Sequence, residues 1–332
     1  SFPMKYFYLL FLFLILLVFS TCEKAVVSQD YTLQGPVFGT TYKITYLNAN
    51  ANYQKSIDSL FLKMNSSLST YIPTSDISRI NNGETNVIID DYFAEVLDKS
   101  KQIFLETNGF FDPTVGNLVN AWGFGPKDER INLTESQLKE QMQFVGLDKV
   151  KRIAYKVVKE SAEIYLDFNS IAKGFGIDVI ARFLDSKIIG NYLIEIGGEI
   201  RTNGFKKNQQ PWIIKLVDPI AADDSSGFKN INLSNKSMAT SGNYRKFRIS
   251  DSGIKYVHTI NPKTGSASES NLLSVSVIAD LDCADVDAYA TAFMAMGLEK
   301  TKVFLSKNTQ LEVILLFVNA EGNLAEYSNY NL

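Results

Sequence analysis

Asp287 and Thr291 stand four residues apart in the stretch ADVDAYATAFMAMG. If that stretch is helical, a carboxylate and a hydroxyl share one face, because side chains at i and i+4 lie one above the other. Two such oxygens can hold a Mg²⁺ ion, which takes oxygen ligands and keeps positions open for substrate phosphates. The same pair is what an ordinary helix start with an outward-facing Thr provides. A second group lies in LDFNSIAKGFGID, residues 166–178. Here a strand enters a Ser-Ile-Ala-Lys-Gly turn that opens a helix, whose first N–H groups can receive phosphate oxygens beside the charge of Lys173. A plain strand-to-helix connection with a surface Lys reads the same way. The third group is HTINPKTG, residues 258–265, which holds the sole histidine. His258 can move protons near neutral pH without a large pKa shift, and Asn261-Pro262 with Thr264-Gly265 sets a turn behind it. A lone histidine is more often structural.

Composition removes other chemistries. The 332 residues carry a net charge of −3, with 45% hydrophobic and 21% charged residues, as in ordinary globular proteins. There is no basic stripe of the kind nucleic-acid binding requires. One histidine and two cysteines exclude zinc sites built from His and Cys. No G-x-x-x-x-G-K-[ST] occurs, so a P-loop is absent. The glycines of GGEIRTNG and KGFG do not form G-x-G-x-x-G after a strand, which leaves Rossmann binding unsupported.

The elements that must position these groups follow from periodicity. Alternation over residues 37–47 predicts a strand. Helical spacing over 53–68 is repeated over 93–107, which stops at Asn108-Gly109; a third helix is predicted at 135–145. After LDFNSIAKGFG a helix is expected over 176–184. Strands are expected near 191–198, 212–219, 274–280 and 311–318, with a helix at 285–296. The order lacks a strict βαβ rhythm, which favours an α+β fold with largely antiparallel sheet in one compact unit. The polar stretch 218–235 reads as an exposed loop.

Lys5 precedes an apolar run from Tyr6 to Phe19, roughly 14 residues and short of the ~20 that cross a bilayer. With small residues behind it, the run reads as a secretory signal peptide. Cys22, after Ser20 and Thr21, resembles the acylated Cys of a bacterial lipobox, although Phe19 and Thr21 stand where Leu and Gly or Ala are commoner. An ordinary signal peptide ending near a Cys is the alternative. The expected layout is therefore a signal peptide over 1–22, a polar tether over 23–34 and a catalytic domain over 35–332. The protein is expected to be exported, held to a bacterial membrane through lipid on Cys22, and to face the periplasm. With Cys22 lipidated, only Cys283 remains, so the domain must rely on its core rather than on a disulfide.

Taken in order, VFGTTYKITY, LSTYIPTSDISRIN, TNGFFDPTVGNLVNAWGFG, LDFNSIAKGFGIDVIARFL, YLIEIGGEIRTNG, MATSGNYRKF, HTINPKTG and ADVDAYATAFMAMG resemble the ApbE family of FAD:protein FMN transferases. The resemblance spans about residues 35–325. It implies that FAD is the substrate, bound with its pyrophosphate at a Mg²⁺ site. A Thr or Ser hydroxyl of an acceptor protein attacks the FMN phosphorus and AMP leaves. Asp287 and Thr291 then match metal ligands, with the main-chain carbonyl of Ala172 as the third. Lys173 is placed beside the phosphates, and His258 matches the residue that deprotonates or orients the acceptor hydroxyl.

The resemblance also suggests dinucleotide contacts at Phe38, Tyr71, Phe111, Asp112, Asn169 and Ile260. Asn261 and Asn243 stand where Asp is common in the family; both swaps keep shape and lose a charge. The implied acceptors are flavoprotein subunits of membrane electron-transport complexes, or exported reductases. An FAD pyrophosphatase and a non-catalytic exported FAD-binding lipoprotein are the competing readings.

Overall fold

The computed structural model describes residues 28–126, 133–219, 227–243, 247–249, 255–267 and 270–330. The signal segment, Cys22 and residues 244–246 of the MATSGNYRKF block lie outside the described residues. The described residues open with β1 (Gln29–Val37) and β2 (Thr40–Ala49), then α1 (Gln54–Leu68), α2 (Asp76–Asn81), α3 (Asp91–Glu106), α4 (Gly116–Ala121) and α5 (Glu135–Met142). A short ribbon, β3 (Val150–Ile153) with β4 (Lys156–Lys159), precedes α6 (Ala172–Ser186). Next come β5 (Tyr192–Ile196), β6 (Glu199–Asn203), β7 (Trp212–Val217), β8 (Gly227–Leu233) and β9 (Ser237–Gly242). Then β10 (Phe247–Ile249), β11 (Lys255–Val257) and β12 (Leu272–Ala279) lead to α7 (Cys283–Met296), α8 (Leu298–Leu305), β13 (Glu312–Val318) and β14 (Leu324–Ser328).

Eight strands form one antiparallel sheet in the order β1-β2-β5-β6-β9-β12-β13-β14. Successive side chains point to opposite faces of a strand, and here both faces are covered. Ile44, Ile194, Val277 and Leu315 join the main core with α6 and α7. On the other face, Ile200, Met238, Ile278 and Leu316 pack against Ile214, Leu216, Ile231 and Leu233 of the β7–β8 hairpin. Double coverage explains why β13 reads as a near-continuous apolar run. Each such side chain contributes roughly 1.5–3 kcal/mol by leaving water. No helix among the described residues is long and apolar enough to cross a membrane.

The α+β expectation holds, and the predicted helices and strands recur with shifted ends. Three readings change. Residues 37–47 are not one strand: Phe38 and Gly39, at φ 50° and 73°, form the two-residue turn of the β1–β2 hairpin, which requires positive φ at both central positions. Residues 29–34, read as part of a tether, lie in β1 and pair with β2. Within the stretch read as an exposed loop, Gly227–Leu233 is β8, paired with β7 and burying Ile231 and Leu233. Its alternate residues are exposed, which gave it a loop-like polarity.

Candidate active site

Two helix starts meet at the site. A Cβ on Gly174 of α6 would lie 2.3 Å from the Cys283 carbonyl oxygen and 2.7 Å from the Ala284 nitrogen. Only a glycine lets the two backbones approach this closely. Asp178, one turn along α6, accepts the N–H groups of Cys283 and Ala284, each at 2.8 Å, and so satisfies donors that a helix start leaves open. This is why α7 begins at Cys283 rather than at 285. Arg201 joins Asp178 to Asp282, and Lys99 pairs with Asp282 and Asp285. The first turn of α7 is thus fixed from three sides.

That bracing aims Asp287. The side chain is buried, and its Oδ2 accepts the N–H of Gly174 at 3.0 Å. Thr291 follows one turn later, its hydroxyl 3.4 Å from that of Ser241 on β9. Lys173, adjoining Ala172 at the start of α6, places Nζ 3.0 Å from Glu199 Oε1 and 3.8 Å from Asp287 Oδ1. Burial raises the pKa of Asp287, against the pull of Lys173 and the Gly174 N–H. Burial opposes the charge on Lys173, but Asp287 and Glu199 outweigh it and raise its pKa. Burial raises the pKa of the Glu199 carboxyl and Asp287 adds to the rise, while the Lys173 ammonium 3.0 Å away pulls it down and favours the carboxylate. Glu199 Oε2 is buried and has no hydrogen-bond partner among the described residues.

Glu199 opens β6 directly after Gly197-Gly198, whose φ values of 62° and 105° make the hairpin turn. A Cβ on Gly197 would lie 2.9 Å from Thr40 Cγ2 and 3.3 Å from Lys173 Cδ. The turn therefore seats the Lys173 stem as well as the Glu199 carboxyl.

These groups open on a cleft of about 1530 Å³ lined by Ala172, Lys173, Glu199, Asp287 and Thr291. Common small-ligand sites measure ~300–1,000 Å³, so there is room for a dinucleotide and part of a second reactant. His258 follows β11 and also lines the cleft, its ring edge-on to Phe124 with centroids 6.5 Å apart. The turn behind it is held by Asn261: its Oδ1 accepts the Lys263 N–H at 2.9 Å and its carbonyl accepts that of Gly265 at 2.7 Å. The Asn in place of the family's Asp thus keeps the acceptor the turn needs. Ile260 faces the cleft from a small cluster with Leu118, Val145 and Ala267.

Phe38, Tyr71, Asp112 and Asn169 complete the wall. The Phe38 ring meets Phe61 edge-on at 5.7 Å and lies against Gly176 of α6. Tyr71 is 60% exposed, an aromatic face offered to a ligand. Asp112 is buried and accepts from the Thr114 N–H at 2.9 Å and its hydroxyl at 2.6 Å; burial nevertheless pushes its carboxyl up to about 6.

Phe111 is the exception. It sits in the main core at 1% exposure, while its neighbour Phe110 lines the cleft. Two adjacent apolar rings on an irregular segment must point opposite ways, and their types do not say which. Sequence reasoning also passed over Glu199, Asp178, Arg201 and Asp167. Asp167 and Asp178 are acids inside apolar stretches, a signal that could have singled them out; Glu199 and Arg201, in GGEIRTNG, carry no such mark.

The ApbE family profile matches residues 38–315. An FAD:protein FMN transferase of Vibrio cholerae is 34% identical over 95% of this chain and 94% of its own length. One from Haemophilus influenzae is 33% identical over 93% and 92%. Among solved structures, the flavin transferase ApbE of Vibrio cholerae superposes with a TM-score of 0.80 at 33% identity, covering 91% of this chain and 97% of that one. The Pseudomonas stutzeri flavinyl transferase ApbE gives 0.81 at 27% identity, covering 91% and 95%. Blocks in the same order, the same fold and near-complete mutual coverage agree: the chain belongs to the ApbE family.

Proposed function

We propose that this protein transfers FMN from FAD to a Thr or Ser hydroxyl of an acceptor protein, with magnesium at Asp287 and release of AMP. The observation that carries the reading is the braced Asp287, with Thr291 one turn away and Lys173 beside it on the wall of a cleft that also holds His258. The residues fit a magnesium ion: two carboxyls share one ammonium, and among the described residues Glu199 Oε2 is left as a buried oxygen with no hydrogen bond. Asp287, Thr291 and the Ala172 carbonyl would hold the ion, all oxygen donors as magnesium prefers. Its chemistry there would be charge neutralisation on the pyrophosphate, the main demand of phosphoryl transfer.

The protein's own groups do the rest. Lys173 attracts the pyrophosphate and Tyr71 offers a stacking face. His258 takes the proton as the acceptor oxygen bonds to the FMN phosphorus; the bond from that phosphorus to the AMP oxygen breaks, and AMP departs. A flavoprotein subunit of a membrane electron-transport complex or an exported reductase is the acceptor class we propose. The apolar run Tyr6 to Phe19 and the Cys22 behind it support export and a lipid anchor facing the periplasm.

The test incubates the purified protein with FAD, Mg²⁺ and a recombinant acceptor domain, and reads the acceptor by mass spectrometry. One added FMN per acceptor is expected, with a loss on the order of 10³-fold in Asp287→Ala and abolition by EDTA. FMN and AMP formed beside an unmodified acceptor would turn the reading to hydrolysis. FAD bound and unchanged would turn it to a carrier.

A further inference from the structure

Asp287 has a rival claimant. Lys173 Nζ stands 3.8 Å from Asp287 Oδ1, one small side-chain rotation from a close ion pair. An ammonium seated on that oxygen would have to be displaced before a divalent cation could bind. What holds it back is Glu199, whose Oε1 lies 3.0 Å from the same Nζ. Glu199 cannot follow if the lysine moves. Its backbone is fixed by the Gly197-Gly198 turn and by pairing with Ile196, and its side chain is buried. Nor is the carboxyl spent on holding the fold: Oε2 makes no hydrogen bond among the described residues, and the junction of α6 with α7 is secured by Asp178 and Arg201. A buried acid with a costly desolvation, whose one ion pair among the described residues is to Lys173, points to a role in placing that lysine.

We propose that Glu199 is a positioning residue that holds the Lys173 ammonium off Asp287, keeping the Asp287 carboxylate open to the metal ion. The proposal rests on the magnesium reading given above. Glu199 sets a division of labour: Lys173 stays in the cleft for the pyrophosphate, and Asp287 stays available to the cation.

The experiment titrates the full protein with Mn²⁺, an EPR-visible substitute for Mg²⁺, without FAD. Glu199→Gln keeps the shape and removes the charge; Lys173 then moves to Asp287, and Mn²⁺ affinity falls about tenfold. Lys173→Met binds Mn²⁺ at least as tightly as the unaltered protein, because no ammonium competes. The double variant recovers affinity to within about threefold of the unaltered protein. Transferase activity of Glu199→Gln is restored by raising Mg²⁺, a rescue that a merely structural role would not give. Unchanged Mn²⁺ affinity in Glu199→Gln overturns the proposal. So does weaker binding in Lys173→Met, which can be read even if Glu199→Gln fails to fold. If the unaltered protein takes up no Mn²⁺, or Asp287→Ala binds it equally well, the magnesium reading falls and this proposal falls with it.

Discussion

The two walls of the cleft are built on opposite plans. On one, α6 and α7 press backbone against backbone at Gly174 and Cys283, and buried charges lock the contact through Asp178, Arg201 and Lys99. On the other, Tyr71, Phe124 and His258 project from turns and loops, the His258 ring edge-on to that of Phe124. The first wall cannot give without leaving a charge unpaired in the interior. The second can shift by a side-chain rotation. Rigid placement thus coincides with the groups suited to metal and phosphate, and adaptable surface with those suited to flat rings and a second protein.

Asp178→Ala is the hardest blow to the braced wall. It takes from Arg201 one of its two carboxylate partners, leaving Asp282, and it uncaps α7; losing the buried member of the pair costs about 3 kcal/mol, and urea unfolding should show that loss together with weakened cation binding. Gly174→Ala comes next. Its methyl meets backbone that cannot rotate away, so about 2 kcal/mol of destabilisation is expected from overpacking. A variant as stable as the parent would show that the helix junction yields. On the aromatic wall, Tyr71→Ala should leave the melting temperature unchanged and raise the KM for FAD about fivefold, from a lost stacking contact of about 1 kcal/mol. A melting temperature that dropped instead would make that wall structural too.

A pH slope at Asp112 tests the same wall without removing a ring. Its carboxyl titrates near 3.8 when unfolded and at about 6 when folded, because burial outweighs the Thr114 hydrogen bonds. Between those values the folded state holds the proton more tightly, so stability falls as pH rises from about 4 to about 6 and is level above that. Asp112→Asn should flatten the fall in a series of melts across that range.

How much of this was legible beforehand depended on how local the signal was. Asp287 and Thr291 share a face because helix geometry alone decides it. The α6 start was visible as a glycine-containing turn, although the helix begins at Ala172 rather than at 176. Phe110 and Phe111 could not be told apart, because which ring faces the cleft depends on packing from distant elements. Glu199 was hidden for the same reason: GGE after a strand reads as a hairpin, and only the fold brings Lys173 to it from the preceding helix. Within β8, Gly227–Leu233 looked like loop because a strand with one exposed face carries half its residues polar.

Phe38 carries one more lesson. It occupies a left-handed backbone position at φ 50°, beside Gly39 at 73°, where Asn or Gly would sit with about 1 kcal/mol less strain. Yet its ring fills the space between Phe61 and Gly176 at the mouth of the cleft. Phe38→Asn or Phe38→Gly would ease the backbone and strip a ring from the wall of the cleft. At this position an easy backbone and a lined cleft pull apart: the turn carries strain so that a ring can stand on the cleft wall.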